Sequence, residues 1–162
     1  MLTQVSDQDL RVRWAAMWPG GLVGFLCIVI GGLVAAVTGP TGFQHGSWAA
    51  AYLVLVAGVA QLGLAAGQAW LPARPPTRRT VVGELATWNA GNVAVLAGTV
   101  AGAVLPVVAG GLALVVALVL FIHGVKAPRP GWTTWLTAYR LLAGVVAVSI
   151  PVGLVLSAVR HG

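Results

Sequence analysis

The stretch that decides the fold is residues 14–73, WAAMWPGGLVGFLCIVIGGLVAAVTGPTGFQHGSWAAAYLVLVAGVAQLGLAAGQAWLPA, which lies between Arg13 and Arg74 and carries no charged side chain in 60 residues. An ionised group at mid-bilayer costs several kcal/mol, so runs free of charge mark membrane spans. Sixty residues hold two crossings of about 20 each. The Gly/Pro/Thr cluster Thr38-Gly39-Pro40-Thr41-Gly42 supplies the turn between them. This reading predicts spans over about 19–38 and 48–71.

The rest of the chain follows the same rule. Between Glu84 and Lys126 lie 41 uncharged residues with Pro106 near the middle, which predicts a hairpin of spans over about 85–105 and 107–125. Leu141–Val159, bounded by Arg140 and Arg160, predicts a fifth span over about 141–159. Residues 6–18 predict a short interfacial helix, in which Ser6 and Asp9 form a capping box, Val5 and Leu10 a hydrophobic staple, and Arg11 and Arg13 lie near headgroup phosphates. Pro72–Arg79 reads as a stiff, extended, basic loop. The expected fold class is all-α: a polytopic, five-helix transmembrane bundle forming a single domain over 1–162.

Composition agrees. Of 162 residues 59% are apolar and 7% charged, whereas a soluble domain carries about 25% charged residues. A disordered chain would be rich in charge and poor in apolar residues, the opposite of this one. Lys and Arg in short loops stay on the cytoplasmic side. Eight of the nine basic residues fall on one side of the expected topology, and only Arg160 on the other. The N-terminus is therefore expected inside and the C-terminus outside, in a cytoplasmic (inner) membrane. Trp14, Trp18, Trp70, Trp88, Trp132 and Trp135 at the inner ends and Trp48 at the outer end fit an interfacial belt. Topology and anionic lipid thus account for the net charge of +6, and no nucleic-acid partner is expected. Arg outnumbers Lys eight to one in an Ala/Gly/Val-rich chain, which suggests a bacterium of high GC content.

Lipid is as apolar as leucine, so helices associate through close contact between small residues and through interhelical hydrogen bonds. The i+4 run Ala86, Ala90, Ala94, Gly98 and Gly102 predicts that the third span is central. Gly20, Gly24, Gly32 and Ala36 offer a row on the first span, and Gly63 and Gly67 one on the second. Pro106 is expected to end the third span and Pro151 to kink the fifth. Single Cys27 offers no intrachain disulfide and reads as a small packed hydrophobe.

Chemistry-bearing residues are few. Gln61 and Gln68 share one helical face and Asn89 and Asn92 another, all in the expected inner half. They read either as interhelical hydrogen-bonding glue or as a polar band for a ligand headgroup. The carboxylates are Asp7, Asp9 and Glu84, all outside the expected spans. Ion-coupled transport, which relies on intramembrane ionisable groups, is therefore disfavoured. No Ser/His/Asp set, phosphate loop or metal-spaced cluster is present, and the chain is not expected to be an enzyme. His161 reads as a frayed end. His123 reads as interfacial or bonded to backbone. His45, at the outer mouth of the second span, reads as a haem-iron ligand, a pH-sensitive group or a polar loop residue.

At Phe43-Gln44-His45-Gly46, leading into Ala49-Ala50-Ala51-Tyr52-Leu53-Val54-Leu55-Val56-Ala57-Gly58, the chain resembles the second transmembrane helix of the haem-copper oxidase catalytic subunit and its nitric-oxide-linked relatives. Trp88-Asn89-Ala90-Gly91-Asn92 and the run from Gly110-Gly111 to Leu120-Phe121 look like further helices of those relatives, so that the resemblance covers residues 40–125. In that family a His-Gly at the outer end of an inward-running helix ligates a low-spin haem. The resemblance implies His45 as one ligand of a b-type haem. The family's roughly twelve helices, copper histidines and remaining haem ligands have no counterpart here, so a second ligand would come from His161, a symmetry mate or a partner. The expected function is a small membrane protein that acts by association, as an accessory or assembly subunit of a respiratory or haem-containing complex. The alternatives are a passive transporter or binding protein for a small apolar or lipid-like ligand, and a purely structural membrane oligomer. Expected partners are membrane lipids and either further copies or the subunits of a larger membrane complex.

Overall fold

The computed structural model describes residues 6–125 and 128–161, with side chains placed through residue 149. Among the described residues the secondary structure is helical, in five rods: α1 (Asp7–Thr41), α2 (Gly46–Trp70), α3 (Arg78–Val100), α4 (Val104–Gly124) and α5 (Thr133–His161). Three of them, α1, α2 and α4, are long and apolar enough to cross a membrane. The rods alternate in direction. One end of the bundle gathers Arg11, Arg13, Arg74, Arg78, Arg79, Arg129 and Arg140 and is called the basic end below.

The expected interfacial helix and first span are one continuous helix of 35 residues, about 52 Å at 1.5 Å per residue. Ser6 caps it, its Oγ accepting from the Asp9 N–H at 3.2 Å, while the proposed staple partner Val5 lies outside the described residues. The turn expected from residue 38 comes later. Thr38 and Thr41 bond back to the carbonyls of Val34 and Val37, the helix continues through Pro40, and Gly42 ends it at φ 64°, a conformation that favours glycine.

Residues Leu53–Ala60 of α2 form π-helical turns, which no feature of the sequence had announced. They lie where α1 comes closest. A Cβ on Gly24 would stand 3.0 Å from the Gly58 carbonyl, and one on Gly31 would stand 3.0 Å from the Ala50 carbonyl. The row buried on α1 is Gly20, Gly24 and Gly31; Gly32, expected in it, faces outward with nothing within 4 Å. Gly63 and Gly67 of α2 seat Leu142 and Tyr139 of α5.

The third helix is not central. Its i+4 run of small residues winds about 40° around the axis at each step, and Ala86 and Ala90 end up exposed. The buried residues are Val81, Glu84, Trp88, Gly91, Asn92 and Gly98, a row whose steps alternate between threes and fours before a longer one to Gly98. The central helix is α2, which touches all four others. Helices α3 and α4 approach at backbone distance, with the Gly91 carbonyl 2.7 Å from where a Gly110 Cβ would be. Their connection is a tight turn in which Gly102 takes φ 66° and the Ala103 N–H donates to the Gly98 carbonyl at 2.8 Å. Pro106 does not end α3. It is the third residue of α4, where the missing N–H is one of the orphans of a helix start. Pro151 lies beyond the described side chains.

The core joins Leu64, Trp88, Leu114, Ala117, Phe121, Tyr139 and Ala143 from α2 through α5. Trp88 is one of the expected belt residues, yet it is fully buried, edge-on to Phe121 with ring centroids 6.2 Å apart. The outer surface is apolar, carrying exposed Phe25, Leu33, Leu55, Val93, Leu112 and Val145, while Arg13, Gln61, Gln68, Glu84 and Asn92 are inside. Polar groups within and apolar groups without invert the arrangement of a water-soluble protein.

Candidate functional site

At the basic end one arginine ties three segments together. Arg13 stands on α1 one turn after Asp9, and its Nε donates to Asp9 Oδ2 at 2.9 Å. Its Nη1 donates to the carbonyls of Ala69 and Pro72 at 2.8 and 3.1 Å, and its Nη2 to that of Ala73 at 3.0 Å. The Ala69 carbonyl is one that α2 leaves without a helical partner as it ends, and those of Pro72 and Ala73 belong to the connection that follows. The side chain is 1% exposed, so it does not lie among lipid phosphates as the sequence suggested. Asp9 Oδ2 also accepts from Arg129 Nη2 at 2.8 Å, and the Arg129 N–H donates to the Leu71 carbonyl at 2.9 Å beside a Pro72–Pro128 bridge. The Arg13 hydrogen bond, with Coulombic help from both arginines, holds the Asp9 carboxyl below its ordinary range. The stiff loop expected over residues 72–79 is thus pinned to α1 and to the α4–α5 connection. Thr77 then starts α3, its Oγ accepting from the Thr80 N–H.

Deeper in from this clasp, Glu84 is 2% exposed, on the α3 row that also buries Trp88. It stands one residue ahead of the third expected span, under the connections of the basic end. A Cβ on Gly124 of α4 would meet Glu84 Oε1 at 3.2 Å and Gln68 Nε2 of α2 at 3.4 Å, so the two side chains border one gap left by a glycine. Tyr139 of α5 lies within electrostatic reach of Glu84, its hydroxyl donating to the Phe121 carbonyl at 3.1 Å. Glu84 Oε2, Gln68 Nε2 and Trp88 Nε1 are buried with no hydrogen-bond partner among the described residues. Burial pushes the Glu84 carboxyl up to about 7, and burial together with the nearby Glu84 charge pushes the Tyr139 phenol up.

The four amides do not share one chamber. Gln61 is fully buried against α1, its Nε2 donating to the Gly20 carbonyl at 3.3 Å. Gln68 belongs to the Glu84 group. Asn89 and Asn92 each donate to the carbonyl four residues back on their own helix, Leu85 at 2.8 Å and Trp88 at 2.9 Å. Asn92 Oδ1 and Gln61 Oε1 are left without partners. A gatherable signal existed for Arg13, since Asp9 and Arg13 stand four apart on one helix. For Glu84 it lay in the 3–4 spacing with Val81 and Trp88.

His45 is half-buried at the opposite end, immediately before α2, with φ −90° and ψ 0°. Its ring tilts against Phe43 with centroids 6.2 Å apart, and it makes no capping bond. Gly46 beside it receives Thr38 of α1 in the space of a side chain. His123 is at the basic end, its Nδ1 3.1 Å from the Val119 carbonyl, so the bundle separates these two histidines by its full length. The His161 side chain lies outside the described residues.

Two grooves open on the outer surface. One, of about 520 Å³, runs between α1 and α2 in the half nearer His45 and is lined by Gly32, Ala35, Gly39, Ser47, Ala51 and Leu55 among others. The second, of about 330 Å³, lies between α2 and α5 at the basic end, with Trp70, Trp132, Trp135 and Tyr139 in its wall. None of the four amides lines either groove. Comparison with protein-family models, curated proteins and solved structures finds no match to this chain.

Proposed function

We propose that this protein is a small, non-enzymatic, multi-pass membrane protein that acts by association, receiving a transmembrane helix of another chain in the groove between α1 and α2. The carrying observation is that Gly32 and Gly39 on the wall of this groove have nothing within 4 Å of where a side chain would be. Within the bundle the same device is filled: Gly24, Gly31, Gly91 and Gly110 each take a neighbouring helix at backbone distance. Small residues permit such approach in lipid, where apolarity alone does not drive helices together. The topology that fits is five spans with the basic end cytoplasmic, because a single orientation then retains eight of nine basic residues inside.

Native mass spectrometry from mild detergent tests this reading. The wild-type protein should carry a second subunit, either another copy or a different chain, and Gly32→Leu should lose it while remaining folded. A monomer in both samples overturns the proposal. A finer version makes the partner part of a haem-containing complex and His45 the one axial ligand that this chain lends. It is supported by the position of His45, next to the Gly46–Thr38 contact at the end of the same groove. A Soret band in the co-purified assembly that His45→Ala removes is the expected result. A haem-free assembly, or a spectrum indifferent to His45→Ala, rejects that version.

The tryptophan-lined groove supports a second reading, binding of a lipid-like apolar ligand at the basic end. Trp135→Ala should then strip a lipid adduct that the wild type retains.

A further inference from the structure

We propose that Glu84 is a proton-binding site, and that its carboxyl carries a proton while α2, α3, α4 and α5 are packed around it. The site is built rather than incidental. Glu84 and Gln68 meet over Gly124 of α4, and among the described residues Glu84 Oε2 and Gln68 Nε2 are buried without partners, as is Trp88 Nε1 one helical turn along α3. A buried polar atom without a partner costs about 1–3 kcal/mol, and a buried carboxylate without a cation far more.

Among the described residues, the groups around Glu84 give an anion no compensating charge. From α2 comes a neutral amide, from α4 the glycine gap and the Phe121 carbonyl, and from α5 the Tyr139 phenol, whose proton is committed to that carbonyl. On α3 itself Arg78 and Arg79 are exposed and Trp88 offers a neutral N–H. Arg13 and Arg129 are engaged with Asp9, and His123 is exposed beside Val119. Lys126 lies outside the described residues.

Size selects the ligand. A Cβ on Gly124 would already be crowded, at 3.2 Å from Glu84 Oε1 and 3.4 Å from Gln68 Nε2, so the site admits no organic cation. A proton fits. The step is proton transfer from water at the basic end to a carboxylate oxygen, and release reverses it; no electrons move. The sense of the pH dependence follows. The packed bundle holds the proton more tightly than the unfolded chain, so Glu84 stabilises the fold fully below about pH 4.3, and this contribution is lost as pH rises through about 7.

Glu84 is the one glutamate in the chain, so the protein labelled with glutamate carrying ¹³C at Cδ shows a single side-chain carboxyl resonance. Titrating that resonance in the folded protein in bicelles should give a midpoint at least two pH units above the ordinary value of about 4.3, returning to it on unfolding. A midpoint at or below the ordinary value, as an ion pair with Lys126 would give, overturns the proposal. As a second measurement, Glu84→Gln should flatten the fall of the unfolding midpoint between pH 5 and pH 8; a slope equal to that of the wild type also overturns it.

Discussion

Arg13 shows how far one side chain's surroundings can depart from its address in the chain. By sequence it belongs to a basic, tryptophan-flanked approach to the membrane; in the bundle its guanidinium ties the end of α2 to the connection that follows, donating to the carbonyls of Ala69, Pro72 and Ala73. A fork of fixed donors suits this task, and lysine's point charge does not. Arg13→Ala should lower stability by about 3 kcal/mol, since hydrogen bonds to charged groups are worth about 1.5–3 kcal/mol each and several are lost together. Arg13→Lys should recover only part of that, as chemical unfolding in detergent would measure. Asp9 gives the matching pH dependence. Its carboxyl is held below the ordinary range by Arg13, so its contribution is present above about pH 4 and lost as pH falls through the depressed folded value. Asp9→Asn should therefore flatten the acid limb of the stability profile and leave the limb above pH 5 unchanged. Asp9 and Glu84 act in opposite senses, so stability should peak between them.

At the scale of the element, charge-free runs located the helices well and small-residue runs located their contacts poorly. Exclusion of charge depends on the helix alone, whereas contact depends on which way the helix is rotated. The i+4 run on α3 drifts around the axis, and the row that packs is the one a 3.6-residue period keeps straight. Gly110→Ala tests this, because its Cβ would meet the Gly91 carbonyl at 2.7 Å and the Val95 nitrogen at 2.8 Å, both backbone atoms. The expected cost is about 1–3 kcal/mol from forced separation of α3 and α4. Gly32→Ala, with open space around it, should cost nothing measurable in the isolated protein. Gly102 is constrained differently: its surroundings are open, but φ 66° makes Gly102→Ala cost roughly 1–2 kcal/mol. Thermal unfolding of the three variants side by side would rank them.

Across the whole molecule, the inversion of polarity ties the bundle to a membrane, while its grooves concern what it meets there. The exposed apolar surface suits lipid, and the open glycines Gly32 and Gly39 on α1 line the groove on which the proposed helix docking rests. The sequence by itself determined that the chain is helical, roughly where its helices lie and which ends share the positive charge, because these depend on local composition and on the cost of charge in lipid. It did not determine which faces meet, that α2 is the central helix, that Arg13 turns inward, or that Glu84 and Gln68 are brought together at Gly124. Glu84 and Gln68 are 40 and 56 positions from Gly124 along the chain. They become neighbours only once the rotation and register of the helices are fixed, and close packing between helices sets both.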